Sequence, residues 1–113
     1  MCIRDSWVRE RKALTIEEAV RKLTTEPAEV FGITDRGLLA VGRPADVVVF
    51  DPETVEPMEL QTLDDIPGGG IRMTKNARGI PWVLVNGEPV IEDGKPTAAV
   101  PGAVLGRSGA GRP

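Results

Sequence analysis

Four places in these 113 residues could carry chemistry: Asp46, Asp64-Asp65, Gly68-Gly69-Gly70 and Cys2. Two carboxylates work as general acid and base when they flank a reacting bond. Asp64 and Asp65 are instead neighbours in a Pro- and Gly-rich stretch, and read as solvated loop acids. Three glycines cradle a phosphate when a strand leads in and a helix N-terminus leads out. No Gly-Lys-Ser/Thr follows Gly70, so the run reads as a flexible turn. Asp46 could ligate a metal, yet no partner ligand stands near it in sequence. Its other role is to accept backbone N–H groups around the turn at 42–45. Cys2 has no visible base to activate its thiol. Arg72 and Lys75 could meet an anion, but a loop gives no warrant for that. Arg9-Glu10-Arg11-Lys12 reads as a solvated helix face.

The chain has no histidine. That excludes a Ser-His-Asp or Cys-His arrangement within it and removes the commonest ligand of catalytic zinc. No residue is therefore assigned a catalytic, cofactor-binding or metal-ligating role. Fourteen basic and seventeen acidic side chains give a net charge of −3, which offers no electrostatic case for nucleic acid. A single cysteine allows no internal disulfide. No apolar run approaches the roughly 18 residues that span a bilayer, and the N-terminus lacks the apolar stretch of a signal peptide. A cytoplasmic location is the default expectation.

The elements that would position these residues are those of one small domain. Thirteen Gly and ten Pro, about a fifth of the chain, predict many turns and short elements. Residues 1–6 have no periodicity or capping logic and look like a non-native leader derived from adapter sequence. Native sequence is then expected to begin near Trp7, inside a longer gene. Residues 7–12 suit the last turns of a helix that ends near Ala13-Leu14. Thr15-Ile16-Glu17-Glu18 is a capping box, with Leu14 placed to staple onto Ala19. Ile16, Ala19, Val20 and Leu23 form one apolar helix face. A second short helix comes next, with Pro27 at its first position and Gly32 just past its end.

Residues 37–51 predict two short strands turned by Gly42-Arg43-Pro44. The apolar run 47–50 fits a strand buried on both faces. Residues 52–79, with Pro52, Pro57, Pro67 and three successive glycines, predict a long irregular loop. Residues 82–85 and 88–91 form a hairpin through Asn86-Gly87, a type I′ turn signal. Pro89 cannot donate to a ladder, so its strand should lie at an edge or start after it. Glu92-Asp93-Gly94 closes the unit. Residues 107–113 should be a mobile tail.

The string Gly37, Leu39, Gly42, Ala45-Asp46, the valines 47–49 and Asp51 resembles the sheet-return segment of the amidohydrolase superfamily. Residues 14–24, then Pro27-Ala28 and Phe31-Gly32-Ile33, are similar to the last barrel helix and following turn of its N-acyl-D-amino-acid deacylase (D-aminoacylase) branch. Ala77, Gly79-Ile80, Val85-Asn86-Gly87, Asp93-Gly94-Lys95-Pro96-Thr97 and Pro101-Gly102 continue that order. The resemblance implies an α+β fragment: terminal helices of a (β/α)8 barrel over 7–36, then strands of a small composite β-sandwich over 37–106.

It also implies the activity of the parent, a zinc-dependent hydrolysis of a non-peptide amide bond in a small N-acyl amino acid. Zinc and the catalytic Asp would lie on barrel strands before this segment, so no site residue is carried over and the fragment alone should be inactive. Its partners would be the missing N-terminal strands and barrel of the same polypeptide, with no nucleic acid and no membrane. Two alternatives stand beside this one: a dihydroorotase-like or hydantoinase-like branch, and a stand-alone β-rich interaction module. Lack of histidine gives the first test. The chain alone should bind zinc no better than any acidic protein, and a stoichiometric submicromolar site in calorimetry would overturn that.

Overall fold

The computed structural model describes residues 3–106. Cys2 and the predicted tail at 107–113 lie outside the described residues, as does the start of the predicted leader. A π-type helix spans Ile3–Glu10, so the backbone at 3–6 is helical and continuous with residues 7–10. This helix stops short of the predicted end near Ala13-Leu14. Lys12 adopts a φ of 51°, and the chain folds back so that the Ala13 and Leu14 N–H groups donate to the Trp7 carbonyl at 2.9 and 3.3 Å.

Helix α1 covers Ile16–Leu23 and carries the predicted capping box. Thr15 Oγ1 accepts the Glu18 N–H at 3.2 Å, and Glu18 Oε2 accepts the Thr15 N–H at 2.9 Å. Two N–H groups that the first helical turn leaves open are thereby satisfied. Helix α2 covers Thr25–Phe31, and Gly32 caps its C-terminus as predicted. Pro27 does not open this helix, since two residues precede it. A first-turn N–H has no intrahelical acceptor, so proline is tolerated there too.

The first of the two strands predicted at 37–51 does not form. Thr25 Oγ1 donates to the Gly37 carbonyl at 2.8 Å, which fastens this segment to the start of α2 rather than to a sheet. The second is strand β1, Val47–Val49. It is not buried on both faces: Val48 and Val49 are 48% and 45% exposed. It occupies one edge of its sheet.

Residues 52–79 differ most from expectation. The predicted irregular loop is a long antiparallel hairpin, β2 (Glu56–Ile66) and β3 (Gly70–Arg78). Pro57 sits near the start of β2, and Pro67-Gly68-Gly69 make the turn, so these residues bound the strands without breaking them. Between them apolar residues alternate weakly, at Met58 and Leu60 and at Ile71 and Met73. The charges divide by strand: β2 is acidic and β3 basic. Asp65 pairs with Arg72, and Glu56 with Arg78.

Strands β4 (Trp82–Val85), β5 (Glu88–Glu92) and β6 (Lys95–Pro96) complete a four-stranded antiparallel sheet in the order β1-β4-β5-β6. The predicted type I′ turn joins β4 to β5, with φ of 50° at Asn86 and 83° at Gly87. Pro89 lies inside β5, which is an interior strand. It is accommodated because the register slips between Val83 and Leu84, and β6 pairs only with Ile91 and Glu92. The Pro89 carbonyl accepts the Thr97 hydroxyl at 2.7 Å.

Only Ala19, Ala28 and Val55 are buried apolar residues among those described. The radius of gyration is 16.4 Å, against about 13 Å for a compact chain near this length. No described helix is long and apolar enough to cross a membrane. The capping box supplies the test of the helical part. Thr15→Ala should cost about 1 kcal/mol by leaving a first-turn N–H without its acceptor, and an unchanged thermal melt would count against it.

Candidate functional site

Asp46 follows Pro44-Ala45, and its own N–H donates to the Pro44 carbonyl at 3.0 Å. This tight turn aims the carboxylate away from the 42–45 loop. It accepts no N–H there, contrary to the sequence-based expectation. Oδ1 accepts the Asn86 N–H at 2.9 Å, and Oδ2 accepts from Arg36 Nη1 at 2.5 Å. One residue earlier, the Ala45 carbonyl accepts the Gly87 N–H at 2.9 Å. Asn86 Nδ2 in turn donates to the Pro101 carbonyl at 2.6 Å. Three segments therefore meet at one carboxylate, the loop after α2, the approach to β1 and the β4–β5 turn, and the Asn86 side chain links that turn onward to the chain beyond β6. Burial pushes the Asp46 carboxyl up, but the Asn86 N–H and the Arg36 guanidinium outweigh it and hold it below the usual carboxylate range.

Both carboxylate oxygens of Asp46 are therefore engaged. A carboxylate whose oxygens already face an N–H and a guanidinium is a poor metal ligand or proton acceptor. Among the described residues, no three His, Cys, Asp or Glu side chains stand close enough to hold a metal. Asp65 is likewise occupied, with Arg72 Nε and Nη2 donating to its two oxygens at 2.6 Å each. The Arg72 guanidinium lowers the Asp65 carboxyl, and Asp65 raises Arg72. An ion pair thus stands where Arg72 could have met an anion, and Lys75 sits opposite Leu60 three positions further along the ladder. Gly68 and Gly69 belong to the hairpin turn, and a strand rather than a helix follows them.

Arg9 is not a simple solvated residue. Its guanidinium donates to the Pro52, Glu53 and Val55 carbonyls, at 3.4, 2.5 and 3.2 Å. Arg11 stacks over the Trp7 ring at 4.7 Å. The segment that Arg9 holds is also closed from the far side. The Val55 N–H donates to the Asp51 carbonyl at 2.9 Å, and the Asp51 N–H donates to the Gly79 carbonyl at 2.9 Å. A Cβ at Gly79 would fall 2.6 Å from the Val55 nitrogen, and φ there is 79°, so only glycine fits. Sequence reasoning missed Arg36, Asn86 and Gly79 as partners, because nothing local marks a contact across ten to forty residues.

Between the two helices and the sheet lies an open groove of about 1190 Å³. Val20, Leu23, Phe31, Leu38, Phe50 and Val83 are among its apolar walls, and Arg36 and Asp46 stand on its border. Arg36 Nε is buried with no hydrogen-bond partner among the described residues.

The comparison with known proteins agrees with this geometry. A family model described as "Amidohydrolase family" matches residues 3–91. The N-acyl-D-glutamate deacylase of Alcaligenes xylosoxydans xylosoxydans is 46% identical over 101 residues, which are 89% of this chain and 19% of that protein. A Lactobacillus johnsonii dihydroorotase is 49% identical, but over only 47 residues, 42% of this chain and 11% of that one. Among solved structures, a crystal structure of D-aminoacylase superposes with a TM-score of 0.72 at 34% identity, over 93% of this chain and 20% of that one. The N-acyl-D-glutamate deacylase from Bordetella bronchiseptica, complexed with zinc and a phosphonate inhibitor, gives 0.59 at 38% identity, over 83% of this chain and 19% of that one. The chain belongs to the amidohydrolase family. Its helices and antiparallel sheets match part of the D-aminoacylase structure, and it spans about a fifth of the length of these relatives.

The Asp46 junction yields a pH prediction. A carboxyl held low in the folded chain contributes stability above the ordinary carboxylate range, and loses it as pH falls through the lowered value. Asp46→Asn should therefore lower the melting temperature at neutral pH, and the gap to the parent sequence should close in acid. A gap that stays constant from about pH 7 to about pH 2 would show that the charge plays no part.

Proposed function

We propose that this chain is the C-terminal, non-catalytic part of a zinc-dependent amidohydrolase that hydrolyses the amide bond of an N-acyl-D-amino acid. The observation that carries this is the extent of the likeness to N-acyl-D-glutamate deacylase, 46% over 101 residues. That match runs through helices, hairpin and sheet, whereas the dihydroorotase match stops after 47 residues. In this proposal α1 and α2, within 7–36, are terminal helices of a barrel, and 37–106 contributes strands to a composite β-sandwich. The rest of the barrel and the N-terminal strands of the same polypeptide fill the open groove.

Zinc, present in the Bordetella bronchiseptica structure, does not fit the residues here. The chain has no histidine, and Asp46 and Asp65 are already engaged by arginines. The metal, the catalytic acid and the substrate contacts therefore belong to the polypeptide outside this chain. What these residues supply is support: they close the sheet at Asp46 and hold the π-helix to the base of the hairpin through Arg9.

The test is the complete polypeptide that carries this segment, purified with zinc and assayed for free D-amino acid. N-acetyl-D-glutamate, N-acetyl-D-aspartate and an apolar N-acetyl-D-amino acid serve as substrates. Hydrolysis of at least one, abolished by a chelator and absent from the 113-residue chain alone, is the expected result. Ring opening of dihydroorotate or a hydantoin without deacylation would move the protein to another branch. Solubility and partner binding without any hydrolysis would favour the interaction module.

A further inference from the structure

Strands β2 and β3 form an arm that pairs with no other strand among the described residues. A two-stranded ribbon is marginal in water by itself. Yet Met58, Leu60, Ile66, Ile71 and Met73 on this arm are 43%, 56%, 41%, 69% and 64% exposed. Thr62 opposes Met73 and Leu60 opposes Lys75. Residues two apart share a face, so Leu60, Ile71 and Met73 lie together on one side. That side needs a cover.

A second copy of the arm fits poorly. Two-fold pairing by the edges would set β2 against β2 or β3 against β3. β2 carries Glu56, Glu59, Asp64 and Asp65 without a Lys or Arg, and β3 carries Arg72, Lys75 and Arg78 without an Asp or Glu. Either pairing opposes like charges, which destabilises a sheet. Pairing by the apolar faces would rest on three side chains, far from the roughly 800 Å² per partner of a stable interface.

We infer that the Leu60–Ile71–Met73 face seats the native polypeptide that precedes Trp7 in the longer protein. Two observations choose this occupant. The N-acyl-D-glutamate deacylase relative leaves about four-fifths of its length outside the matched region, ample to cover the arm. The point of arrival is also correct: that polypeptide would come in through the π-helix, whose Arg9 is bonded to the Pro52, Glu53 and Val55 carbonyls leading directly into β2. The inference rests on the functional proposal only in requiring a longer polypeptide.

Met73 reports on the face, because thioether oxidation follows exposure. The complete polypeptide and the 113-residue chain are treated with hydrogen peroxide, and sulfoxide at Met73 is read by peptide mass spectrometry. The complete polypeptide unfolded in urea is the reference if the short chain aggregates. Met73 should oxidise freely in the reference, and most of that signal should be lost in the folded complete polypeptide at every protein concentration. Equal oxidation in both overturns the inference. Protection that disappears on dilution assigns the face to a second copy and overturns it as well. Deacylase activity is scored on the same sample. A protected but inactive protein would sink the functional proposal and leave this interface standing, and an active protein with freely oxidised Met73 would do the reverse.

Discussion

One carboxylate carries the junction on which the sheet depends. Asp46 takes an N–H from Asn86 and a guanidinium N–H from Arg36, and the adjacent Ala45 carbonyl takes the Gly87 N–H. These bonds extend the β1–β4 ladder, where Val47 opposes Leu84, past the end of the strands and into the hairpin turn. They set the register of a three-residue strand that could otherwise slip, and a slip of one residue would exchange its two faces. Asn86 passes the connection to Pro101 through its side chain. Charge-assisted bonds of this kind are short and directional, so they hold geometry where packing does not.

Packing does little here. Two alanines and one valine are the buried apolar residues described, while Val48, Val49, Phe31 and Leu38 face outward or into the open groove. Such a surface is that of one side of an interior rather than of a finished core. Membership of the amidohydrolase family, in relatives about five times as long, gives the physical account. On the function proposed above, the apolar residues await neighbours from a longer polypeptide, while the polar junctions at Asp46 and Arg9 join the described segments.

Arg9 and Gly79 do for the hairpin what Asp46 does for the sheet. The guanidinium gathers three carbonyls of the segment entering β2, and the missing Cβ of Gly79 lets the strand leaving β3 close against Val55. The hairpin then runs outward on its own ladder, with the acidic strand beside the basic one. This division of charge favours pairing within the arm and disfavours pairing of two arms by like edges.

Local chemistry is legible directly from the residues. Thr15 and Glu18 satisfy each other within one helical turn, and Asn86-Gly87 adopts the φ values its turn demands, because both depend on neighbours three residues away or fewer. The family is legible too, through the spacing from Gly37 to Asp51. Tertiary structure alone decides the rest. By local pattern the prolines and glycines at 57 and 67–70 are breakers of a loop, and only the pairing of β2 with β3 shows that they bound strands, since exposed strands carry weak alternation. Pro89 reads as an edge residue, and only the register slip beside it shows how an interior strand holds it. Asp46 offers an acceptor in any reading. That its partners are Arg36 and Asn86, ten and forty residues away, is decided by chain crossings that no local pattern of side chains records.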